Sequence, residues 1–276
     1  MFEVHLARWR LYPDGDAMHT HGSDLLPVLT ADGVRAMLKL PRWPEERTGS
    51  ALMRWWNGDG AARVLEADDD GSLLMERAVG GRSLLQQAEN GGEEDDQASR
   101  IICGVLDRLH APRSASPPAL KPLAEWFSAV RVQAARRGGV LVHCARVADA
   151  LLADAQDVVP LHGDSHHSNV LEFGADDWRA IDPKDRIGER GFDHAQILCN
   201  PDMSSAPDKT RMARQWRVVA ERARLEPMRL LRWTAAHAAL SAAWSLEDDD
   251  HETAEHELET AEAALSLLLQ AGETLP

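Results

Sequence analysis

Residues Leu161–Asp182, LHGDSHHSNVLEFGADDWRAID, decide how this chain is read. An Asp follows His162 by two positions, an Asn stands five residues further on, and a second Asp closes a strand-like run at 182. Asp164 comes after the apolar run Val158–Leu161, so a loop there projects its carboxylate into a cleft, ready to accept a proton. Asn169 offers a neutral carbonyl oxygen and Asp182 a carboxylate, both hard ligands suited to Mg²⁺. A strand through Trp178-Arg179-Ala180-Ile181 brings Asp182 back beside Asn169. A base and two metal ligands at this spacing are the parts that aim a hydroxyl at a magnesium-bound triphosphate. Such a transfer rests on positioning and charge neutralisation more than on covalent chemistry. His162 suits a buttress of the loop better than an acid or base. The expectation is a small-molecule kinase using ATP and Mg²⁺.

Bulk properties set the limits. A chain of 276 residues exceeds what one compact core usually serves, and 44% hydrophobic with 27% charged residues is ordinary globular material. Against 45 Asp+Glu stand 30 Lys+Arg, a formal charge of −15. That balance argues against a nucleic-acid partner, which needs basic patches, and would attract a cationic small molecule. Three scattered cysteines, Cys103, Cys144 and Cys199, form neither a disulfide framework nor a zinc motif, which fits a reducing cytoplasm. The opening MFEVHLARWRLYPDG lacks the apolar core of a signal peptide, and no apolar run reaches the ~18 residues of a membrane span. A cytoplasmic chain with no membrane partner is expected.

Residues 24–40 read as two strands around Ala31-Asp32-Gly33, and 62–77 as a second hairpin turning at Asp68-Asp69-Asp70-Gly71. Between them Glu45–Trp56 has helical character, with Leu52, Trp55 and Trp56 on one face and Asn57-Gly58 as its stop. Gly80-Gly81 marks a crossing, after which helices are expected near 97–110, 121–137, 141–155, 208–223, 227–246 and 251–271. Glu89–Asp96 and Arg113–Pro118 read as loops, and only 158–183 carries strand-like runs in this half. The fold class is therefore α+β, with a small antiparallel-sheet lobe at 1–79 and a larger, mainly helical lobe at 80–276.

Plainer explanations exist for each residue taken singly. An isolated HxD pair is usually structural, a lone Lys39 is usually a surface lysine, and the run Glu247–Asp250 suits a solvated helix end. His162, His166 and His167 with Asp164 make a conceivable transition-metal set, but one in which Asn169 and Asp182 have no task.

The block HGDSHHSN followed by WRAIDP resembles the catalytic loop of aminoglycoside phosphotransferases. More narrowly, LHGDSHHSNV, WRAIDPKDRIGERGFD and LSAAW (Leu240–Trp244) resemble the streptomycin 6-phosphotransferase and hydroxyurea-resistance kinase group, over nearly the whole chain. The resemblance implies a protein-kinase-like bilobal fold with Asp164 as catalytic base and Asn169 and Asp182 as magnesium ligands. It implies that Lys39, in the strand Arg35–Leu40, reaches the α- and β-phosphates of the nucleotide. Glu46 is its implied ion-pair partner, with Glu45 the adjacent alternative. Adenine would be held by backbone groups of Glu76–Ala78, with Met75 near the gatekeeper position, and Asp193 would support the catalytic loop. Two departures stand out: the phosphate loop between Tyr12 and Ser23 has only Gly15 and Gly22 around Met18-His19-Thr20-His21, and His166 or His167 is placed to touch substrate.

The function so implied is ATP-dependent O-phosphorylation of an aminoglycoside, streptomycin at its 6-hydroxyl, giving antibiotic resistance. A kinase of hydroxyurea or another small hydroxylated metabolite is the alternative, and a catalytically silent nucleotide-binding protein is a third. A monomer or weak dimer is expected.

Overall fold

The computed structural model describes residues 1–20, 22–201 and 209–274. A short helix α1 (Glu3–Arg8) and two-residue strands β1 (Tyr12–Pro13) and β2 (Met18–His19) lead into strand β3 (Ser23–Leu29). The turn to β4 (Arg35–Pro41) closes where Gly33, at φ 81°, donates its N–H to the Thr30 carbonyl at 2.9 Å. Helix α2 (Pro44–Trp56) starts with proline at its first turn, where no N–H is needed, and ends where Asn57 turns left-handed at φ 45°. Strands β5 (Val64–Ala67) and β6 (Leu73–Glu76) meet across the expected Asp-rich turn. The sheet runs β1-β3-β4-β6-β5, antiparallel throughout, with β2 added to β3. Period-two alternation sends Ala36, Leu38 and Leu40 into a small core with Leu26, Val28 and Leu74. Met37 and Lys39 are thereby left on the opposite face.

Residues 77–83 cross onward without regular structure, and the division expected at 79/80 falls in that stretch. Helices α3 (Leu84–Asn90) and α4 (Gly92–Leu109), strand β7 (Lys121–Pro122), and helices α5 (Ser128–Arg137) and α6 (Val140–Ala153) follow. Next come β8 (Val158–Leu161), β9 (Val170–Gly174), β10 (Asp177–Ala180) and β11 (Arg186–Glu189), then α7 (Gly191–Cys199), α8 (Lys209–Ala223), α9 (Pro227–Glu247) and α10 (His251–Gln270). β9 and β10 form a hairpin, while β11 lies between β7 and β8. Helix α9 is the post of this half: Leu230, Leu231, Trp233 and the alanines at 235, 236, 238, 239, 242 and 243 are all buried. Small side chains let α6, α7 and α10 pack closely around it. Among the described residues no helix is long and apolar enough to cross a membrane.

The larger core is not confined to the helical half. Leu52, Met53 and Trp56 of α2 belong to it. The Ala62 N–H donates to the Ala180 carbonyl at 2.9 Å, and the Ala180 N–H to the Gly60 carbonyl at 2.8 Å. A Cβ on Gly49, in the middle of α2, would overlap the Pro183 carbonyl oxygen, so only glycine permits the approach. Helix α2 is thus anchored to the half that follows it.

Three expectations need correction. Glu89–Asp96 is not a loop: Gly91, at φ 72°, separates α3 from α4, and Glu93, Glu94 and Asp95 fill the first turn of α4. Carboxylates there meet the free N–H groups of the helix start. Asp95 is moreover buried against Arg211 and Arg214, at 2.8 and 2.6 Å. The helix expected over 121–137 begins only at Ser128, because Lys121–Pro122 pairs as a strand with β11 and a 3₁₀ turn fills Leu123–Glu125. Helix α7 and strand β11 were not anticipated as elements.

Candidate active site

Strand β4 ends inside the cleft between the sheet and the helical half, and there Lys39 is nearly buried. Its ammonium lies 3.1 Å from Glu46 Oε2 on α2 and also donates to Asp182 Oδ1. Asp182 sits just past β10 in a left-handed conformation, φ 59°, which Asp tolerates and which swings its carboxylate back into the cleft. Its other oxygen, Oδ2, accepts from Lys184 at 3.1 Å, and Lys184 also reaches Glu46 Oε1 at 3.4 Å. Burial alone would raise the pKa of Asp182, but the two ammonium groups hold it well below the ordinary carboxylate range. Burial likewise works to lower the pKa of Lys184, yet Asp182, Glu46 and Asp164 outweigh it and raise it. The Glu45 side chain and His21 lie outside the described residues.

Asp164 is held differently. Its N–H donates to His162 Nδ1 at 3.2 Å, and its carbonyl accepts from Asn169 Nδ2 at 2.8 Å. The carboxylate itself is 39% exposed, and the nearest titratable nitrogen, His166 Nε2, is 3.8 Å away. His162 has both ring nitrogens committed to the backbone, since Nε2 donates to the Ile181 carbonyl at 2.8 Å. It is therefore neutral, its pKa lowered chiefly by burial. That disposes of the transition-metal set, for His162 has no lone pair to give. His167 is buried, and burial pushes its pKa down to about 3, while His166 caps the short turn after it. Of the two histidines, only His166 is partly exposed, its Nε2 3.8 Å from Asp164.

Below the loop stands Asp193, fully buried at the start of α7. It accepts from the N–H groups of His162 and Gly163 at 2.8 and 2.9 Å and from His110 Nε2 at 2.8 Å. Burial tends to raise its pKa, but these donors keep it low. Gln196, one turn on, donates to the Gly163 carbonyl at 2.9 Å and accepts from the Ser165 N–H. The loop is pinned through its backbone.

A cavity of about 380 Å³ opens between these groups. Leu25, Met37 and Met75 from the sheet face Leu171, Phe173 and Ile181 from the other side, making an apolar slot. Glu76, Arg77 and Ala78 edge it, and Lys39, Asn169 and Asp182 form its polar end. The Glu76 carboxylate is taken by Arg179 at 2.7 Å, and the Glu76 and Arg77 N–H groups donate to the Arg63 and Arg35 carbonyls at 2.9 and 3.4 Å. The Asn169 amide nitrogen is spent on the Asp164 carbonyl, which leaves its oxygen as the free atom, and the Ile181 N–H bonds the Asn169 carbonyl at 2.9 Å. One amide oxygen and one carboxylate on adjoining backbone are the donors a hard divalent ion takes. The residues fit Mg²⁺.

A smaller cavity of about 70 Å³ lies between α9 and α10, lined by His237, Ser241, Glu257 and Asn200 among others. Ser245 Oγ donates to Glu257 Oε2 at 2.8 Å, and Ser241 holds the other oxygen. His237 is buried, its pKa pushed down to about 4 by burial, and it feels the charge of Asp164.

Sequence reasoning named Lys39, Glu46, Met75, Glu76, Ala78, Asn169 and Asp182, and all seven line this cleft or pair within it. It missed Lys184 and Gln196. The signal for Lys184 was present, a cation two residues after Asp182, but it was absorbed into a motif rather than weighed as a charge.

The sequence pattern of the aminoglycoside/hydroxyurea antibiotic resistance kinases matches residues 8–249. A streptomycin 3''-kinase of Klebsiella pneumoniae is 48% identical over 249 residues, spanning 88% of this chain and 91% of that one. A streptomycin 6-kinase of Streptomyces griseus is 34% identical over 272 residues, spanning 93% and 85%. The crystal structure of aminoglycoside phosphotransferase APH(4)-Ia superposes with a TM-score of 0.67 at 14% identity, over 96% of this chain and 97% of that one, a likeness of fold. The chain belongs to the aminoglycoside/hydroxyurea antibiotic resistance kinase family and is a small-molecule phosphotransferase.

Proposed function

We propose that the protein transfers the γ-phosphoryl group of ATP to a hydroxyl of streptomycin, the 6-hydroxyl first, and so confers resistance. The observation that carries this is the convergence of Lys39, Glu46 and Asp182 at the polar end of an apolar slot, with Asn169, at the same end, bonded to the Asp164 carbonyl. Adenine fills the slot against Met75 and the Glu76–Ala78 backbone. Lys39, steadied by Glu46, meets the α- and β-phosphates. Asn169 and Asp182 hold Mg²⁺, which supplies charge neutralisation of the phosphates when bound. Asp164 orients the acceptor hydroxyl and takes its proton as the oxygen–phosphorus bond forms. The bond from Pγ to the bridging oxygen breaks, and its electron pair leaves on the β-phosphate of ADP. Residues 1–79 serve the donor and residues 80–276 carry the base and the acceptor. The cytoplasm supplies ATP and keeps the free cysteines reduced.

A second hydroxyl is favoured by one observation: the relative at 48% identity is named a 3''-kinase, whereas the 34% relative is a 6-kinase. Incubation with ATP, Mg²⁺ and streptomycin should give a product heavier by one phosphoryl group, and phosphorus–proton correlation spectra locate the ester. Ester formation at neither position, on streptomycin or any other aminoglycoside, defeats the proposal and leaves hydroxyurea and other small hydroxylated acceptors to be tried.

A further inference from the structure

We propose that Lys184 is a second catalytic cation, the ammonium that meets the transferring γ-phosphoryl group, distinct in task from Lys39. This rests on the phosphotransferase function proposed above. Lys39 arrives from the sheet and grips Asp182 Oδ1, whereas Lys184 arrives from the catalytic half and grips Oδ2 at 3.1 Å. The Lys184 backbone N–H donates to the His162 carbonyl at 2.7 Å. Its stem runs along Gly163, where a Cβ would stand 3.0 Å from the Lys184 Cβ. The ammonium is therefore delivered from beside the residue that precedes Asp164, between the proposed base and the proposed metal ligand. At 29% exposure its side chain is not sealed in a closed core.

The local charge calls for it. Among the protein's own groups, before metal or nucleotide binds, Asp164, Asp182 and Glu46 outnumber Lys39 and Lys184 around this site, three against two. A phosphoryl group passing toward Asp164 spreads negative charge over three oxygens and would face those carboxylates. Lys39 is committed on the sheet side. Arg186, the next cation along the chain, is spent on Asp185 at 2.5 Å and lies over the Trp126 ring at 4.5 Å. Lys184 remains, on a flexible stem, resting on Asp182 and Glu46 until the donor arrives. It stays protonated and donates a hydrogen bond to a γ-phosphoryl oxygen, so no proton changes hands at this residue.

The test separates the γ-phosphate from the rest of the nucleotide. Lys184→Met and Lys184→Arg are compared with the parent by calorimetric titration with ADP and with the β,γ-imido analogue of ATP, both with Mg²⁺, and by turnover with streptomycin. Lys184→Met should leave ADP affinity within about twofold, weaken the imido analogue about tenfold and lower kcat by about 10²-fold. Lys184→Arg should restore most of the analogue's affinity. Equal loss of affinity for both nucleotides would make Lys184 a structural prop, and no loss for either would make it a bystander; each overturns the proposal. Because the titrations need no acceptor, a parent that discriminates the two nucleotides through Lys184 yet phosphorylates no aminoglycoside sinks the acceptor assignment alone. A parent that binds neither nucleotide sinks both.

Discussion

Asp164 and Asp182 stand on neighbouring loops, joined by the hydrogen bonds Lys184 N–H to His162 carbonyl and Ile181 N–H to Asn169 carbonyl, and the chain treats them in opposite ways. The Asp164 loop is fastened by its backbone, through Asp193, Gln196 and His162, while its carboxylate is left open. Asp182 is fastened by its carboxylate, one oxygen to each of two lysines. In the proposed reaction Asp164 takes up a proton, a task helped by precise placement without a neutralising partner. The proposed metal-holding role of Asp182 needs an ionised group, which flanking cations favour. Two identical side chains acquire different chemistry from their surroundings alone.

Replacing each in turn is the severest way to break this contrast. Asp164→Asn should lower kcat by about 10²–10⁴-fold with nucleotide affinity intact. Asp182→Asn should lose turnover and Mg²⁺-dependent ATP binding together, since it removes a ligand and sets two ammonium groups against each other. Calorimetry beside steady-state rates separates the two, and identical profiles would erase the distinction. Next in size is the support beneath Asp164. Asp193→Ala leaves His110 and two backbone N–H groups unpaired in the interior and should cost about 3–5 kcal/mol in denaturant unfolding. A loss under about 1 kcal/mol would mean the loop holds itself.

On the Asp182 side the matching probe is Gly49→Ala, whose methyl must displace Pro183 and with it the Asp182 turn. It should cost about 1–3 kcal/mol and weaken Mg²⁺ binding, read by titrating activity against the metal. The smallest effect per step is pH, and it belongs to the Asp164 side. His194 and His237 are each pushed down to about 4 by burial. Unfolded, they protonate near their ordinary value of about 6.5. Between those values the unfolded chain binds more protons, so stability is full above about pH 6.5 and falls as pH drops toward 4. Each histidine contributes a slope of at most about 1.4 kcal/mol per pH unit. A melting temperature that holds from pH 8 to 6.5 and then declines fits; His237→Gln should flatten the decline.

Much of this was legible in the chain. The turns at Asp32-Gly33 and Asp70-Gly71 fix both hairpins because glycine alone takes their positive φ cheaply, and β4 then places Lys39 by alternation. Asp164, Asn169 and Asp182 stand out by their spacing, and the structure brings their segments together through the Asn169–Asp164 and Ile181–Asn169 hydrogen bonds. What hid was tertiary. Asp95 looks like one more acid in a solvated run until Arg211 and Arg214 arrive from a helix over a hundred residues away. Helix α7, GFDHAQILC, is buried almost all round, so it carries no polar stripe to betray a period. Pro122 forms a strand because β11 offers it an edge, a partner no local pattern announces.

Helix α2 is held at more than one point along its length. Trp56 lies flat against the His162 ring, 9° from parallel, and its indole N–H bonds the Leu109 carbonyl at 3.1 Å, while Gly49 abuts Pro183. Protein kinases switch off by swinging the corresponding Glu-bearing helix away from its lysine. Here that swing would tear an indole out of the main core, and the Lys39–Glu46 pair is already closed in this structure.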